Sequence, residues 1–201
     1  MVGIIDYKAG NAPSVLNAYR QLMVSAELVS SPAELENFTH IVLPGVGAAQ
    51  ATMESLCETG FDVALKHAVL EGNKPFLGIC VGMQILFEHS EEGDTPCLGW
   101  LGGSVVKFPL TVKVPQMGWN KANFRDENPL SAGIDSEYFY FVNSYYVKPG
   151  DSGVILAETD YGGNFCSAVR RNNIFGIQFH AEKSGAAGLQ LLRNFAMVKG
   201  V

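Results

Sequence analysis

A cysteine stands between two glycines in the segment from Phe76 to Ser90, which reads FLGICVGMQILFEHS. The apolar residues up to Cys80 predict a buried strand, and those after it predict a helix that begins at once. A nucleophile at such a corner sits on a sharp turn, where Gly78 and Gly82 relieve crowding. Because the N-terminus of a helix also favours a thiolate, the segment predicts a nucleophilic thiol. A cysteine without this context would more often be a core residue.

A histidine and a glutamate two residues apart follow the apolar strand FGIQF, in the segment QFHAEKS. On an extended backbone, His180 and Glu182 point to the same side. A carboxylate beside an imidazole fixes its tautomer and stabilises its charged form. Read alone, the pair is a polar strand end. The acid follows the histidine here, and this order disfavours an α/β-hydrolase.

A glycine-rich turn, PGVG at residues 44–47, follows the predicted strand 40–43. Such a turn lets backbone amides face a substrate, although it could equally be a plain connection. In parallel α/β sheets, ligands bind beyond the carboxyl ends of the strands. The turn and Cys80 both lie at such ends.

The elements that would position these residues alternate between strand and helix in the first half of the chain. The predicted strands are 2–6, 27–30, 40–43 and 75–80, and the predicted helices are 11–23, 61–70 and 81–89. Asn11 is placed as the cap of the first helix. Because the strands are apolar rather than alternating, they predict a parallel sheet with helices on both faces.

The second half predicts additional antiparallel strands beside that parallel core. Strand-like segments lie at 105–108, 112–114, 119–124, 138–142, 154–159, 167–171 and 175–179, and a last helix is predicted at 184–198. The fold class is therefore α/β, with a mostly parallel central sheet, flanking helices and added antiparallel strands. No repeat or linker interrupts residues 1–201, which predicts a single domain.

Composition excludes several classes of partner. The 201 residues are 47% hydrophobic and 17% charged, with a net charge of −6, so nucleic acid and anionic membranes are poor candidates. The four cysteines form no C-x-x-C pair, which indicates reduced thiols and no zinc site. The sequence shows no signal peptide and no apolar run of about 20 residues. We therefore expect a cytoplasmic protein.

The motifs PGVG, GICVGMQILFEHSEE, MGWN, FYFV and QFHAEKS occur in the order and spacing of the triad-type, or class I, glutamine amidotransferases. The resemblance runs from GIIDY near the start to SGAAGLQLLRNF near the end. MGWN and FYFV more narrowly resemble the glutaminase subunits of imidazole glycerol phosphate synthases. The resemblance implies a flavodoxin-like fold and no cofactor.

The resemblance also implies a role for each candidate residue. Cys80 would attack the side-chain amide carbon of glutamine, His180 would take the thiol proton and later protonate ammonia, and Glu182 would orient His180. The oxyanion hole would be formed by Val46, Gly47 and Val81. Glutamine would be bound by Gly45, Gln84, Glu92, Asn143 and Ser144.

A partner is implied as well. In this family, ammonia passes to a (β/α)8-barrel cyclase subunit, which makes imidazole glycerol phosphate and aminoimidazole carboxamide ribotide for L-histidine. Four residues match family positions that face the cyclase: Asn11, Trp119, Tyr140 and Lys183.

The sequence departs from the family pattern at four positions. Ala181 stands where proline is usual, Gln116 and Asn143 where histidine is usual, and Val81 where leucine is usual. None of these changes removes a residue of the triad. They leave open a paralogous glutaminase that feeds another synthase, for example in amino-sugar or surface-polysaccharide pathways. A non-catalytic module is disfavoured by the intact triad, and Val81 disfavours the cysteine chaperone-hydrolases, which have histidine there.

Overall fold

The computed structural model describes residues 1–8, 11–125, 128–134 and 138–199. Its helices are α1 Ala12–Gln21, α2 Ala49–Thr59, α3 Phe61–Lys66, α4 Val81–Gln84 and α5 Gly185–Ala196. Its strands are β1 Val2–Ile5, β2 Ala26–Val29, β3 His40–Gly45, β4 Phe76–Cys80, β5 His89–Ser90, β6 Thr95–Pro96, β7 Gly103–Lys107, β8 Gln116–Lys121, β9 Asn123–Phe124, β10 Tyr138–Asn143, β11 Tyr145–Pro149, β12 Ile155–Asp160, β13 Asn164–Arg171 and β14 Ile174–Ile177.

A parallel core of five strands, in the order β2-β1-β3-β4-β14, carries the carboxyl-end edge on which the candidate residues lie. This order matches the flavodoxin-like arrangement of doubly wound sheets. Beyond β14 the sheet continues with β13, β11 and β7, each antiparallel to the strand before it. A separate antiparallel ribbon is formed by β8 and β10. The predicted fold class is confirmed.

The central strands are buried along their whole length, which explains their continuous apolar sequences. Every residue of β1, β4 and β14 is buried. Strands covered on both faces lack the alternation of half-exposed ones. The β8–β10 ribbon does alternate: Phe139 and Phe141 face inward, and Phe139 stacks on Phe179 with ring centroids 4.1 Å apart.

Two helix predictions were wrong. Helix α2 was not predicted, because it buries Ala49, Thr52 and Leu56, of which only the last is a large apolar residue. The helix predicted at 81–89 ends at Gln84, and the chain then turns into β5. Its next residues, 85–87, are buried but not helical, and a short apolar run cannot distinguish these two cases.

Of two smaller predictions, one is wrong and the other is confirmed in part. The strand predicted at 112–114 does not form, because the Val112 N–H donates to Pro109 O and closes a turn. Asn11 occupies the N-cap position of α1, but its side chain makes no capping hydrogen bond. Its amide is directed elsewhere, toward Glu182.

The turn from β4 into α4 packs too tightly for side chains at its glycines. A Cβ on Gly82 would overlap the carbonyl oxygen of Leu43 in β3, and one on Gly78 would overlap the carbonyl of Gly82. Gly45 is similarly confined, since a Cβ there would lie 2.7 Å from the Gly82 nitrogen. The glycines on either side of Cys80 thus let the backbone of α4 lie directly against β3 and β4.

We expect Gly82→Ala to lower the free energy of unfolding by about 2–3 kcal/mol, because β3 and α4 must separate to admit the methyl group. Urea denaturation followed by circular dichroism would measure it. Gly102→Ala is the matched control, since its Cβ would meet nothing within 4 Å. Equal midpoints for Gly82→Ala and wild type would contradict the packing described here.

Candidate active site

Cys80 lies at the junction of β4 and α4, in a backbone conformation that residues other than glycine rarely adopt. Its φ is 56° and its ψ is −112°. Non-glycine residues in such regions are strained and persist only where the surrounding structure holds them. The residue is 4% exposed, and its Sγ lies 3.9 Å from the carbonyl oxygen of Val142. The sequence prediction of a turn with a cysteine at its apex is confirmed.

His180 follows β14 and is held by its backbone and its ring. Its N–H donates to Tyr140 O at 2.9 Å, and its carbonyl accepts from Ser184 Oγ at 2.6 Å. Its Nδ1 donates to Glu182 Oε1 at 2.8 Å, which leaves Nε2 for the Cys80 thiol. The same Glu182 oxygen accepts from Asn11 Nδ2 at 2.9 Å. The three residues predicted from the sequence are thus brought together.

Burial and contacts shift both ionisable partners. Burial alone lowers the pKa of His180, but its hydrogen bonds to Cys80 and Glu182 outweigh that effect and raise the pKa to about 9. Burial alone raises the pKa of Glu182, but His180 and the Asn11 amide hold it below its ordinary value. The site therefore favours an imidazolium paired with a carboxylate.

A cavity of about 300 Å³ opens beside the thiol, at the small end of the range for ligand sites. It is lined by Val46, Gly47, Cys80, Val81, Gln84, Glu92, Pro115, Val142, Asn143, Ser144, Tyr145, His180 and Lys183. Most residues predicted to bind substrate or an oxyanion are among them. Gly45 is not among the lining residues and is paired in register with Cys80. Of the predicted partner residues, Lys183 lines the cavity, whereas Trp119 lies on the ribbon and is 57% exposed.

The turn at Val46 and Gly47 faces the same cavity as the first residue of α4. Gly47 has a φ of 109°, a conformation that side chains rarely adopt. Val81 is the first residue of α4, so its backbone N–H has no hydrogen-bond acceptor within the helix. Glu92 also lines the cavity, and its Oε2 accepts the Ala49 N–H at 2.8 Å. The cavity is thus bounded by backbone amides and one carboxylate.

The two positions that depart from histidine face each other. Gln116 and Asn143 are paired in the β8–β10 ribbon, and both are buried. Asn143 Nδ2 donates to Tyr145 O at 3.0 Å, whereas Asn143 Oδ1 and both side-chain polar atoms of Gln116 have no hydrogen-bond partner among the described residues. The departures are therefore neighbours, and Asn143 lines the cavity.

Sequence reasoning missed Gln178, whose Nε2 lies 3.6 Å from Cys80 Sγ. Its side chain is fully buried beside the thiol. The signal was present, because Gln178 shares the side of an extended strand with His180. Pro115, Val142 and Tyr145 were also not predicted to line the cavity.

Comparisons with a family model and with individual relatives indicate the same protein family. The model of the glutamine amidotransferase class-I family matches residues 3–198. Imidazole glycerol phosphate synthase subunit HisH of Dehalococcoides mccartyi strain 195 is 48% identical over 197 residues, which cover 97% of this chain and 96% of the relative. HisH of Geobacillus kaustophilus is 46% identical over 202 residues, covering 97% and 95%. HisH of Leptospira interrogans is 43% identical over 202 residues, covering 98% and 99%.

Solved structures agree on the fold. A crystal structure described as a glutamine amidotransferase superposes with a TM-score of 0.78 at 22% identity, covering 98% of this chain and 99% of the other. A structure of PurLQS from Thermotoga maritima gives a TM-score of 0.77 at 16% identity, covering 96% of each chain. At these identities the superpositions establish the architecture alone.

The raised pKa of His180 predicts that this residue stabilises the fold most at low pH. Its folded pKa of about 9 exceeds the ordinary 6.5, so its contribution is fully present below pH 6.5 and is lost as pH rises through 9. We expect wild type to lose about 1–3 kcal/mol more than His180→Asn between pH 6.5 and 9.5. Urea denaturation at fixed pH values measures the difference.

Because the pKa of Glu182 is lowered from its ordinary 4.5, this residue changes the pH dependence of stability only in the acid range and not between pH 6.5 and 9.5. His67→Asn, at a side chain that is 78% exposed, is the control and should keep the wild-type slope. If the free energy of unfolding changed with pH equally in wild type and in His180→Asn, the raised pKa of His180 would be refuted.

Proposed function

The chain belongs to the class-I glutamine amidotransferase family, and we propose from this that it is the glutaminase subunit of an imidazole glycerol phosphate synthase. It hydrolyses L-glutamine to glutamate and ammonia, and the ammonia is used in L-histidine biosynthesis. Relatives named HisH, 43–48% identical over nearly the whole chain, support this function over the alternative of a glutaminase for another synthase. The family model's span over 3–198 supports treating residues 1–201 as one domain.

One observation carries the mechanism: the thiol of Cys80, at a strained turn, meets the ring of a histidine whose other nitrogen is held 2.8 Å from a buried carboxylate. With the thiol proton already transferred to His180, the Cys80 thiolate attacks the side-chain amide carbon of glutamine. His180 then gives a proton to the departing ammonia, which leaves a glutamyl thioester. Water hydrolyses the thioester to glutamate and frees Cys80. Glu182 stabilises the imidazolium in both steps.

The negative charge that develops on the amide oxygen requires donors. We assign this role to the N–H of Val81 and to a backbone N–H of the Val46–Gly47 turn, all of which line the cavity. A donor of this kind is worth about 3–4 kcal/mol in an acyl transfer. Val46 is 37% exposed, whereas Val81 is 4% exposed, so the two proposed donors differ in how firmly the surrounding structure holds them.

The remaining lining residues recognise glutamine. Glu92 supplies a carboxylate suited to the substrate ammonium, and the Gln84 and Asn143 amides with Ser144 supply polar contacts. Gly45 does not line the cavity and acts indirectly, because its lack of a side chain lets Val81 and Gly82 lie close to it. These assignments are made by position in the cavity.

The outer face of the β8–β10 ribbon is the surface we assign to the cyclase, a (β/α)8-barrel subunit. Strand alternation places the side chains of Met117, Trp119, Tyr138 and Tyr140 outward. The first three are 54–66% exposed, and Trp119 packs edge-to-face on Tyr140. Exposed apolar and aromatic groups of this kind mark interfaces.

The outer face adjoins the cavity, because Val142 belongs to both. Lys183, in the cavity wall, and Asn11, bound to Glu182, extend the proposed interface toward the triad. The assembly is a heterodimer with lyase activity that works in the cytoplasm. Among the described residues, no helix has the length and apolar character needed to cross a membrane.

Glutamate release from L-glutamine tests the function. We expect little release by the chain alone and a large increase when a histidine-pathway cyclase subunit and its nucleotide ligand are added. Cys80→Ala should abolish release in both conditions while keeping the wild-type unfolding midpoint. Cys57→Ala, at an exposed cysteine, is the matched control and should remain active. Release by Cys80→Ala would refute the mechanism, and release that ignores the cyclase would point to another acceptor.

Trp119→Ala tests the interface. Because a half-exposed tryptophan at the centre of an apolar face is a typical anchor, we expect its removal to weaken cyclase binding by about ten-fold or more. Calorimetric titration of the cyclase into each variant measures the affinity. Met23→Ala removes a side chain that is 92% exposed, near the end of α1 remote from Asn11, and should leave the affinity unchanged. An unchanged affinity for Trp119→Ala would place the interface elsewhere.

A further inference from the structure

Three buried side-chain amides form a connected set beside the nucleophile. Gln84 Nε2 donates to the Tyr145 carbonyl at 3.1 Å and to Gln178 Oε1 at 3.0 Å. Asn143 Nδ2 donates to the same Tyr145 carbonyl at 3.0 Å. Gln178 Nε2 then lies 3.6 Å from Cys80 Sγ.

The orientation of each amide in this set follows from a single carbonyl. The Tyr145 oxygen can only accept, so the Gln84 atom beside it must be the nitrogen. A nitrogen on Gln84 requires an oxygen on the facing end of Gln178. The other end of Gln178 is therefore an N–H group, and it is this end that meets the sulfur. The Tyr145 carbonyl thus determines that the sulfur faces a donor.

The position of Gln178 is fixed by the sheet. Strands β4 and β14 pair in parallel with Ile79 opposite Ile177, so the following residues, Cys80 and Gln178, lie side by side. The backbone N–H of Gln178 donates to the carbonyl oxygen of Ser167 in β13 at 2.9 Å, and the side chain of Gln178 has no exposed surface. The side-chain amide of Gln178 is consequently held beside the Cys80 sulfur, away from water.

We infer that Gln178 is a further residue of the catalytic site, whose amide N–H donates to the Cys80 sulfur and stabilises its thiolate, with Gln84 holding that amide in its donating orientation. A donor to a charged sulfur acts more strongly in a buried site than in water. The inference rests on the proposed role of Cys80 as nucleophile. It gives Gln84 a second role besides contact with glutamine.

Other groups act on the same sulfur and define what the test must separate. His180 reaches it from the segment after β14, and Tyr7, after β1, interacts with it electrostatically. The carbonyl of Val142 in β10 faces it as an acceptor and opposes a thiolate. Gln178→Met leaves all three groups in place and removes only the amide, with little change in side-chain volume.

The test is the rate at which iodoacetamide alkylates Cys80, followed by mass spectrometry of the Cys80 peptide from pH 5 to 10. For Gln178→Met we expect a rate about three- to ten-fold lower at pH 7 and a profile displaced to higher pH, because only the thiolate reacts. Gln84→Met should displace the profile in the same direction by less. The double variant should match Gln178→Met, because both changes act through one contact.

Gln190→Met, which removes an amide on α5 that donates to Asn194, is the control and should keep the wild-type profile. If Gln178→Met does not fold, Gln84→Met carries the test. A folded Gln178→Met with the wild-type profile, or an equal displacement in Gln190→Met, would overturn the inference. Alkylation needs no glutamine. A displaced profile in a protein that releases no glutamate even with a cyclase subunit and its nucleotide ligand would therefore refute the proposed function, while the donation from Gln178 to the Cys80 sulfur would stand.

Discussion

The parallel pairing of β4 with β14 is the constraint on which the site depends. These strands lie about a hundred residues apart in sequence, yet their register sets Ile79 against Ile177 and so brings Cys80 beside Gln178. His180 then follows at the same edge, two residues further along. Because a one-residue slip would turn every side chain to the other face, the buried strands also fix which groups can reach the sulfur.

Strain at Cys80 is maintained by this packing. A non-glycine residue with a φ of 56° and a ψ of −112° costs on the order of 1–3 kcal/mol. The residues of β4 are all buried, and the glycines at 78 and 82 let α4 lie against the neighbouring strands. The conformation places the thiol at the cavity and the Val81 N–H next to it, which is the geometry that the proposed attack on glutamine requires.

Sequence patterns predicted the candidate catalytic residues and the strands better than the segments that connect the strands. The strands and the glycine-bounded Cys80 were predictable, because buried strands and sharp turns have local signatures. Helix α2 was not, since its buried face has one large side chain, and the residues after Gln84 are apolar without being helical. Asn11 occupies the predicted N-cap position, but its side chain donates to Glu182, which is 171 residues away and could not be inferred from local sequence. Gln178 was overlooked although it shares a strand side with His180, because its contact with the sulfur depends on the register of β14 with β4.

Tyr140 connects the proposed interface to the triad through its own backbone. Its ring lies on the outer face of the ribbon beside Trp119. Its carbonyl accepts the His180 N–H, and its N–H donates to Ser184 Oγ, which in turn donates to the His180 carbonyl. Both backbone polar groups of His180 are therefore tied to one residue of β10. His180 also follows β14, which pairs with β4, so its backbone is attached both to the sheet that carries Cys80 and to the ribbon. The position of the imidazole beside the sulfur therefore depends on both sheets, and the hydrogen bonds of Tyr140 join the proposed interface to it.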